Sequence, residues 1–244
     1  IAGTTPRLYI NNGDKTFRNA TDEYGLNTQC FTMGAGYGEL NNDGFLDFYL
    51  ATGEPDFAAL IPNRMFLNYG GQSFDEVTYQ GGFGHIQKGH AVSFADIDND
   101  GDEDVYCVLG GAYEGDIFYN ALFDNPLPTK SWIKLKLKGD ISNSAGIGSK
   151  ICFIGKRDGK QEKFYRYISN GSSFGENPFT INFAVPDGIK LEQINIIWPN
   201  GNEQVVSNYR LNTLNIIREN QADIEFVKLS PIRAPKQSHH HHNH

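Results

Sequence analysis

The stretch DIDNDGDED, residues 96–104, places six acidic side chains in nine consecutive positions. The acids at positions 1, 3, 5 and 9 of this stretch are Asp96, Asp98, Asp100 and Asp104. Gly101 at position 6 permits a sharp backbone turn, and the residues on both sides of the stretch are strand-like. Carboxylates this close together repel one another unless a positive charge lies among them.

Carboxylates at this spacing suit calcium, which takes about six to eight oxygen ligands at about 2.3–2.6 Å and tolerates irregular geometry. The loop is not an EF-hand, because an EF-hand closes with Glu at position 12 and lies between helices, whereas Cys107 stands there in this chain. We therefore predict a strong calcium site in which the four acids at positions 1, 3, 5 and 9 are ligands. The backbone carbonyl of Asp102 completes the predicted set, and Glu103 is expected to face away.

The acidic stretch belongs to an internal repeat. Shifting the chain by 57 positions, from Arg7 to Arg64, aligns residues 7–17 with 64–74 and residues 39–53 with 96–110 without a gap. Short strand-like runs joined by turn residues, repeated at about 40 to 60 residues, are typical of β-propeller blades. A third copy is expected to begin at Asp116.

The repeat predicts the organisation of residues 1–128 as about two blades and the start of a third. A propeller needs roughly four to eight blades to close. We therefore expect an all-β fold in which this part is partial, or is the C-terminal portion of a larger propeller.

The equivalent of the acidic stretch in the first repeat is ELNNDGFLD, residues 39–47. We call residues 39–47 acidic loop 1 and residues 96–104 acidic loop 2. Because ligand charge tunes calcium affinity, the smaller number of acids in loop 1 predicts a second, weaker calcium site. A polar turn without metal is the alternative. The ligands expected in loop 1 are Glu39, Asn41, Asp43 and Asp47.

The character of the chain changes after Pro128. In residues 132–138, WIKLKLK, apolar and lysine side chains alternate strictly from Ile133 onward, which is typical of a strand with one buried face. Further strand-like runs with strong turn residues between them continue to about residue 220. We predict a β-sandwich over residues 129–225 and assign residues 226–244 to a tail, either a purification tag or a natural His-rich end.

Several motifs resemble a known family. The repeats resemble FG-GAP/VCBS propeller repeats, and three motifs of the C-terminal part resemble the ASPIC/UnbV domain. Those motifs are SNSAGIGSKI (142–151), SNGSSFGENP (169–178) and IIWPNGNEQVV (196–206). The combination is similar to the cartilage acidic protein 1-like family in its bacterial form. The resemblance implies a calcium-binding protein that is secreted or exposed at the cell surface, and it implies no established reaction.

The composition of the chain limits the classes of partner that it is expected to bind. A net charge of −8 disfavours nucleic acid, and no apolar run is long enough to span a membrane. We expect a binding or scaffold module for a protein or glycan ligand, and an enzyme or a subunit of an outer-membrane or envelope complex are the alternatives. The residues that could form a second metal site, a ligand site or a catalytic site are His85, Lys88, His90, Glu114 and Asp116.

Overall fold

The computed structural model describes residues 5–53, 61–111, 114–115, 117–171 and 174–232, and every regular element in these ranges is a β-strand. The all-β prediction is therefore confirmed. None of the described residues form a helix that could cross a membrane. The predicted domain boundaries stay predictions, and the His-rich end lies outside the described ranges.

Three small antiparallel sheets form the blade part, with two, four and three strands. The two-stranded sheet consists of β1 (Tyr9–Asn11) and β2 (Phe17–Asn19). The four-stranded sheet consists of β3 (Thr32–Gly38), β4 (Asp47–Thr52), β5 (Arg64–Tyr69) and β6 (Ser73–Glu76). The three-stranded sheet consists of β7 (Gly89–Ala95), β8 (Asp104–Leu109) and β9 (Ala121–Phe123). This arrangement of small sheets is propeller-like.

The second and third sheets pack closely because β3 is rich in glycine. A side chain at Gly36 would lie 2.7 Å from Cγ1 of Val92, and one at Gly38 would lie 2.3 Å from the ring of Phe94. Hydrogen in place of a side chain lets β7 approach the backbone of β3. The core between these sheets contains buried Tyr49, Met65, Val92 and Phe94.

The repeat of 57 residues is visible in the hydrogen bonds. Asp47 Oδ1 accepts the backbone N–H of Asn68 at 2.8 Å, and Asp104 Oδ1 accepts that of Asn125 at 2.9 Å. Strand β9 is therefore the counterpart of β5. The register differs from the expected third copy, because residues 117–120 form no strand and Asp116 lies outside the described ranges.

The second part is a β-sandwich of two four-stranded sheets. Sheet one runs in the order β13-β10-β16-β17, with β10 and β16 parallel. Its strands are β10 (Trp132–Lys138), β13 (Thr180–Ala184), β16 (Leu214–Arg218) and β17 (Ile224–Val227). Sheet two runs in the order β12-β11-β14-β15 and is antiparallel. Its strands are β11 (Lys150–Arg157), β12 (Lys160–Tyr167), β14 (Lys190–Ile197) and β15 (Glu203–Val206).

The alternation in residues 132–138 orients β10 as predicted. Ile133, Leu135 and Leu137 are buried in the core between the two sheets, where the rings of Phe153 and Phe183 stack at 4.0 Å. The opposite face of β10 is not simply solvated, because Lys134 is only 7% exposed. Its partners lie in the blade part and are described below.

A buried carboxylate organises one end of the sandwich. Glu219 is fully buried, and its Oε2 accepts the backbone N–H groups of Asp140, Ile141 and Ser142 at 2.7–2.9 Å. Burial alone would raise the pKa of Glu219, but these hydrogen bonds, Ser142 first, outweigh it and lower the pKa to about 2. The ionised side chain thus holds the turn that follows β10.

We predict that Glu219→Gln lowers stability at neutral pH and that the deficit shrinks in acid. Because the folded pKa is depressed, the stabilisation is fully present above the ordinary pKa of 4.5 and is lost as the pH falls through about 2. Urea unfolding midpoints from pH 7 to pH 2 measure the difference between wild type and variant. Glu225→Gln, at an exposed position of β17, is the control, and a deficit that does not change with pH would contradict the prediction.

Candidate metal centre and its junction with the sandwich

The two acidic loops have the same backbone shape. Asn42 and Asn99 have positive φ angles of 58° and 62°, and Gly44 and Gly101 have φ angles of 91° and 105°. Asparagine and glycine tolerate these left-handed conformations better than other residues. The matching angles place equivalent side chains of both loops in equivalent positions.

Acidic loop 2 gathers three carboxylates. Ligand oxygens of Asp96, Asp98 and Asp100 all lie within 4.8 Å of one another. The N–H of Asp100 donates to Oδ1 of both Asp96 and Asp98 at 3.1 Å, which holds the loop in this shape. Three carboxylates so close together offer the hard oxygen ligands that calcium prefers.

Asp102 provides a second, independent indication of a cation. Its side chain is only 1% exposed, and neither carboxylate oxygen has a hydrogen-bond partner in the part of the chain that the structure describes. Burial and the neighbouring charges of Asp100 and Asp104 raise the pKa of Asp102 to about 8. A buried, unpaired carboxylate is costly, and a cation in acidic loop 2 would offset that cost, although Asp102 itself lies outside the group of three carboxylates. The sequence prediction considered only the backbone carbonyl of Asp102.

Asp104 lies outside the group of three. Its Oδ2 accepts the N–H of Ile97 at 3.0 Å, and its Oδ1 accepts the N–H of Asn125. The carboxylate therefore joins both ends of the loop to β9, and its role as a metal ligand stays a prediction. Glu103 turns toward acidic loop 1, where its Oε2 accepts the N–H of Glu39 at 2.7 Å.

Acidic loop 1 is bound differently, although its backbone is the same. Glu39 is 3% exposed and forms a salt bridge with Arg166 of strand β12, while its Oε1 accepts the N–H of Gly44. Burial raises the pKa of Glu39 to about 7, although Arg166 opposes that shift. The Glu39 carboxylate, at position 1 of the loop, is therefore held by an arginine and by a backbone N–H.

The sandwich also contacts acidic loop 2. Lys134 Nζ lies 2.8 Å from Asp96 Oδ2 and donates to Asn99 Oδ1 at 3.2 Å. The Asn182 side chain donates to the carbonyl of Gly101 at 2.9 Å. Both acidic loops thus lie in the junction between the blades and the sandwich. The sequence did not single out Arg166 or Lys134, since their partners are distant in the chain.

His85 and His90, which the sequence predicts to share a ligand site or a second metal site, contact different groups. His85 Nδ1 accepts the N–H of Gln87 at 3.1 Å, and its ring lies 5.1 Å from that of Phe118. His90 contacts the Met33 sulfur at 2.9 Å and the Gly110 carbonyl at 2.5 Å. The main chain of Lys88 is fixed, because its carbonyl accepts the N–H of Gly110 at 2.8 Å. Glu114 lies in an exposed turn and Asp116 lies outside the described ranges, so a site formed by these residues stays a prediction.

Two family models match the chain. Residues 40–107 match the model of an FG-GAP-like repeat, and residues 139–224 match the model of ASPIC and UnbV. The first match covers both acidic loops, apart from Glu39, and the second covers most of the sandwich. A search of curated proteins found no match.

We predict that Gly101→Ala destabilises the junction strongly. The new Cβ would lie 2.0 Å from Cδ1 of Trp132, which adds about 1–3 kcal/mol of overpacking to about 1–2 kcal/mol for the left-handed backbone. Gly13→Ala is the matched control, because Gly13 has φ +84° and a Cβ added there would meet no heavy atom within 4 Å. Urea unfolding measures both, and equal losses would show that Trp132 does not press on this loop.

Proposed function

Since the chain carries an FG-GAP-like repeat followed by an ASPIC/UnbV domain, we propose that it is a calcium-stabilised binding module of the cell surface or the extracellular space. FG-GAP-like repeats are typical of extracellular and surface proteins. The observation that carries the calcium assignment is the group of Asp96, Asp98 and Asp100, in the same loop as Asp102, whose carboxylate has no hydrogen-bond partner among the described residues.

The calcium ion has a structural role in this proposal. Acidic loop 2 joins the end of β7 to the start of β8, so an ion bound by its carboxylates would fix the hairpin and neutralise the charge that the loop concentrates. A loop with several exposed or half-buried ligands suits an environment rich in calcium, because calcium affinity depends on site rigidity and ligand charge. This agrees with an extracellular location.

The outer face of sheet two supports the binding role. Tyr165 and Tyr167 lie on that face and are 63% and 47% exposed, and Val205 and Ile197 lie in the same cross-strand rows. Tyr165, Ile197 and Val205 border a shallow depression of about 320 Å³, and Tyr167 lies next to it on the same face. Tyrosine combines a large apolar face with a hydroxyl group, which suits stacking on a sugar ring or packing on a peptide. We assign the protein or glycan ligand to this face.

We predict that calcium raises the melting temperature and that chelation lowers it. A ligand at about 100 times its Kd contributes about 2.7 kcal/mol, which corresponds to about 5–10 °C in a chain of this size. Differential scanning fluorimetry in calcium and in EDTA measures the shift. The double variant Asp98→Asn, Asp100→Asn should lose it, whereas Asp75→Asn, at an exposed position of β6, should keep it. Identical melting curves of the wild type in calcium and EDTA would refute the assignment.

We also predict that Tyr165→Ser with Tyr167→Ser abolishes ligand retention without changing the melting temperature. Exposed rings contribute little to the core, so their removal should affect binding alone. Glycan and peptide arrays probed with wild type and variant give the measurement. Tyr79→Ser is the control, because Tyr79 is 72% exposed on the blade part. Retention of the same array ligands by the double variant would place the binding surface elsewhere.

A further inference from the structure

We infer that acidic loop 1 takes the guanidinium group of Arg166 in place of a metal ion, so that the chain binds one calcium ion and not two. The contrast with acidic loop 2 rests on the proposed calcium function. Arg166 would thus take the place of the weaker second calcium site that the sequence predicts in acidic loop 1.

Arg166 is a buried cation held against position 1 of acidic loop 1. It is only 7% exposed, it is paired with Glu39 at position 1 of the loop, and its Nη1 donates to the carbonyl of Gly44 at 3.1 Å. The carboxylates of Asp43 and Glu103 also interact electrostatically with Arg166 and with Glu39. A guanidinium group keeps its charge at every relevant pH and presents several N–H donors in a planar fork. It can therefore keep one positive charge in the buried cluster at every relevant pH.

The carboxylate oxygens of acidic loop 1 all have partners, and among its described side chains Asn42 Oδ1 is a buried acceptor without one. Asp43 Oδ1 accepts the N–H of Phe45 at 2.8 Å, and its Oδ2 accepts the Asn41 side chain at 3.1 Å. Asp47 accepts N–H groups from Leu40 and Asn68 at 2.7 and 2.8 Å. Acidic loop 2 differs, because Asp102 has two buried oxygens without a hydrogen-bond partner among the described residues. A metal ion could interact with the unpartnered Asp102 carboxylate in acidic loop 2. In acidic loop 1 it would compete with the existing hydrogen-bond partners of the carboxylates.

The sandwich contacts each acidic loop through one aromatic residue and one cationic residue, and the cationic residue differs between the loops. In acidic loop 1, Phe164 covers Gly44 and Arg166 meets position 1, whereas in acidic loop 2, Trp132 covers Gly101 and Lys134 meets position 1. The aromatic residue precedes the cation by two positions in both strands, so both side chains lie on one face. Lysine is a point charge on a flexible stem. It neutralises one of the acids and leaves the rest of acidic loop 2 for the ion.

The test counts calcium ions by native mass spectrometry and equilibrium dialysis, and follows melting temperature in EDTA and in calcium. Wild type should bind one ion. Arg166→Met should melt about 5–15 °C lower in EDTA, because it leaves Glu39 buried without its partner. It should then bind a second ion and recover part of the loss in calcium. Arg166→Lys keeps the charge and should remain at one ion with an intermediate melting temperature.

Lys134→Met is the matched variant for acidic loop 2. It should keep one ion and bind it at least about threefold more tightly, since a like charge near the metal is removed. Two ions bound to wild type, or no second ion on Arg166→Met, would overturn the inference. If wild type binds no calcium, the proposed function fails. The role of Arg166 is then decided separately, by whether Arg166→Met acquires an ion.

Discussion

Two acidic turns are buried against one side of a β-sandwich, and each carboxylate that loses water there has to meet a positive charge or an N–H donor. An ionised carboxylate in an apolar environment is too costly to persist unpaired. In acidic loop 1 the requirement is met by Arg166 and by backbone N–H groups. In acidic loop 2 it is met only in part by Lys134, and Asp102 remains without a partner among the described residues. The calcium assignment follows from this difference.

The same constraint explains why glycine stands at position 6 of both loops. Gly44 and Gly101 have positive φ angles, and they also lie directly beneath Phe164 and Trp132. A side chain at either position would push an aromatic ring away and separate the nearby cation from its carboxylate. The loop geometry, the aromatic contact and the salt bridge therefore depend on one another. These contacts join the blades to the sandwich in addition to the connecting chain.

The sequence predicted the local features of the structure well. The alternation around Ile133 identified β10 and its buried face, and the shift from Arg7 to Arg64 identified equivalent strands of the blades. These features depend on periodicity and spacing, which are properties of neighbouring residues. The all-β fold and the family resemblance were also confirmed. Both rest on turn residues and repeated motifs, which are local features of the sequence.

The junction could not be predicted in this way. Arg166 meets Glu39 across 127 positions of the chain, and Lys134 meets Asn99 across 35. Alternation alone places Lys134 on the face opposite the sandwich core, and it does not reveal that the blades cover that face. The same limit applies to Asp102, whose carboxylate is buried only because the folded loop packs against other elements. Similarly, the third copy was expected to begin at Asp116, but the hydrogen bond from Asn125 to Asp104 assigns its first strand to residues 121–123.

A crystal structure of the calcium-loaded protein, with anomalous diffraction data to identify the ion, tests the central claim most directly. The account predicts one anomalous peak, coordinated by Asp96, Asp98 and Asp100, and the guanidinium group of Arg166 against Glu39 in acidic loop 1. A calcium peak in acidic loop 1 with Arg166 displaced, or no peak in acidic loop 2 at millimolar calcium, would contradict it.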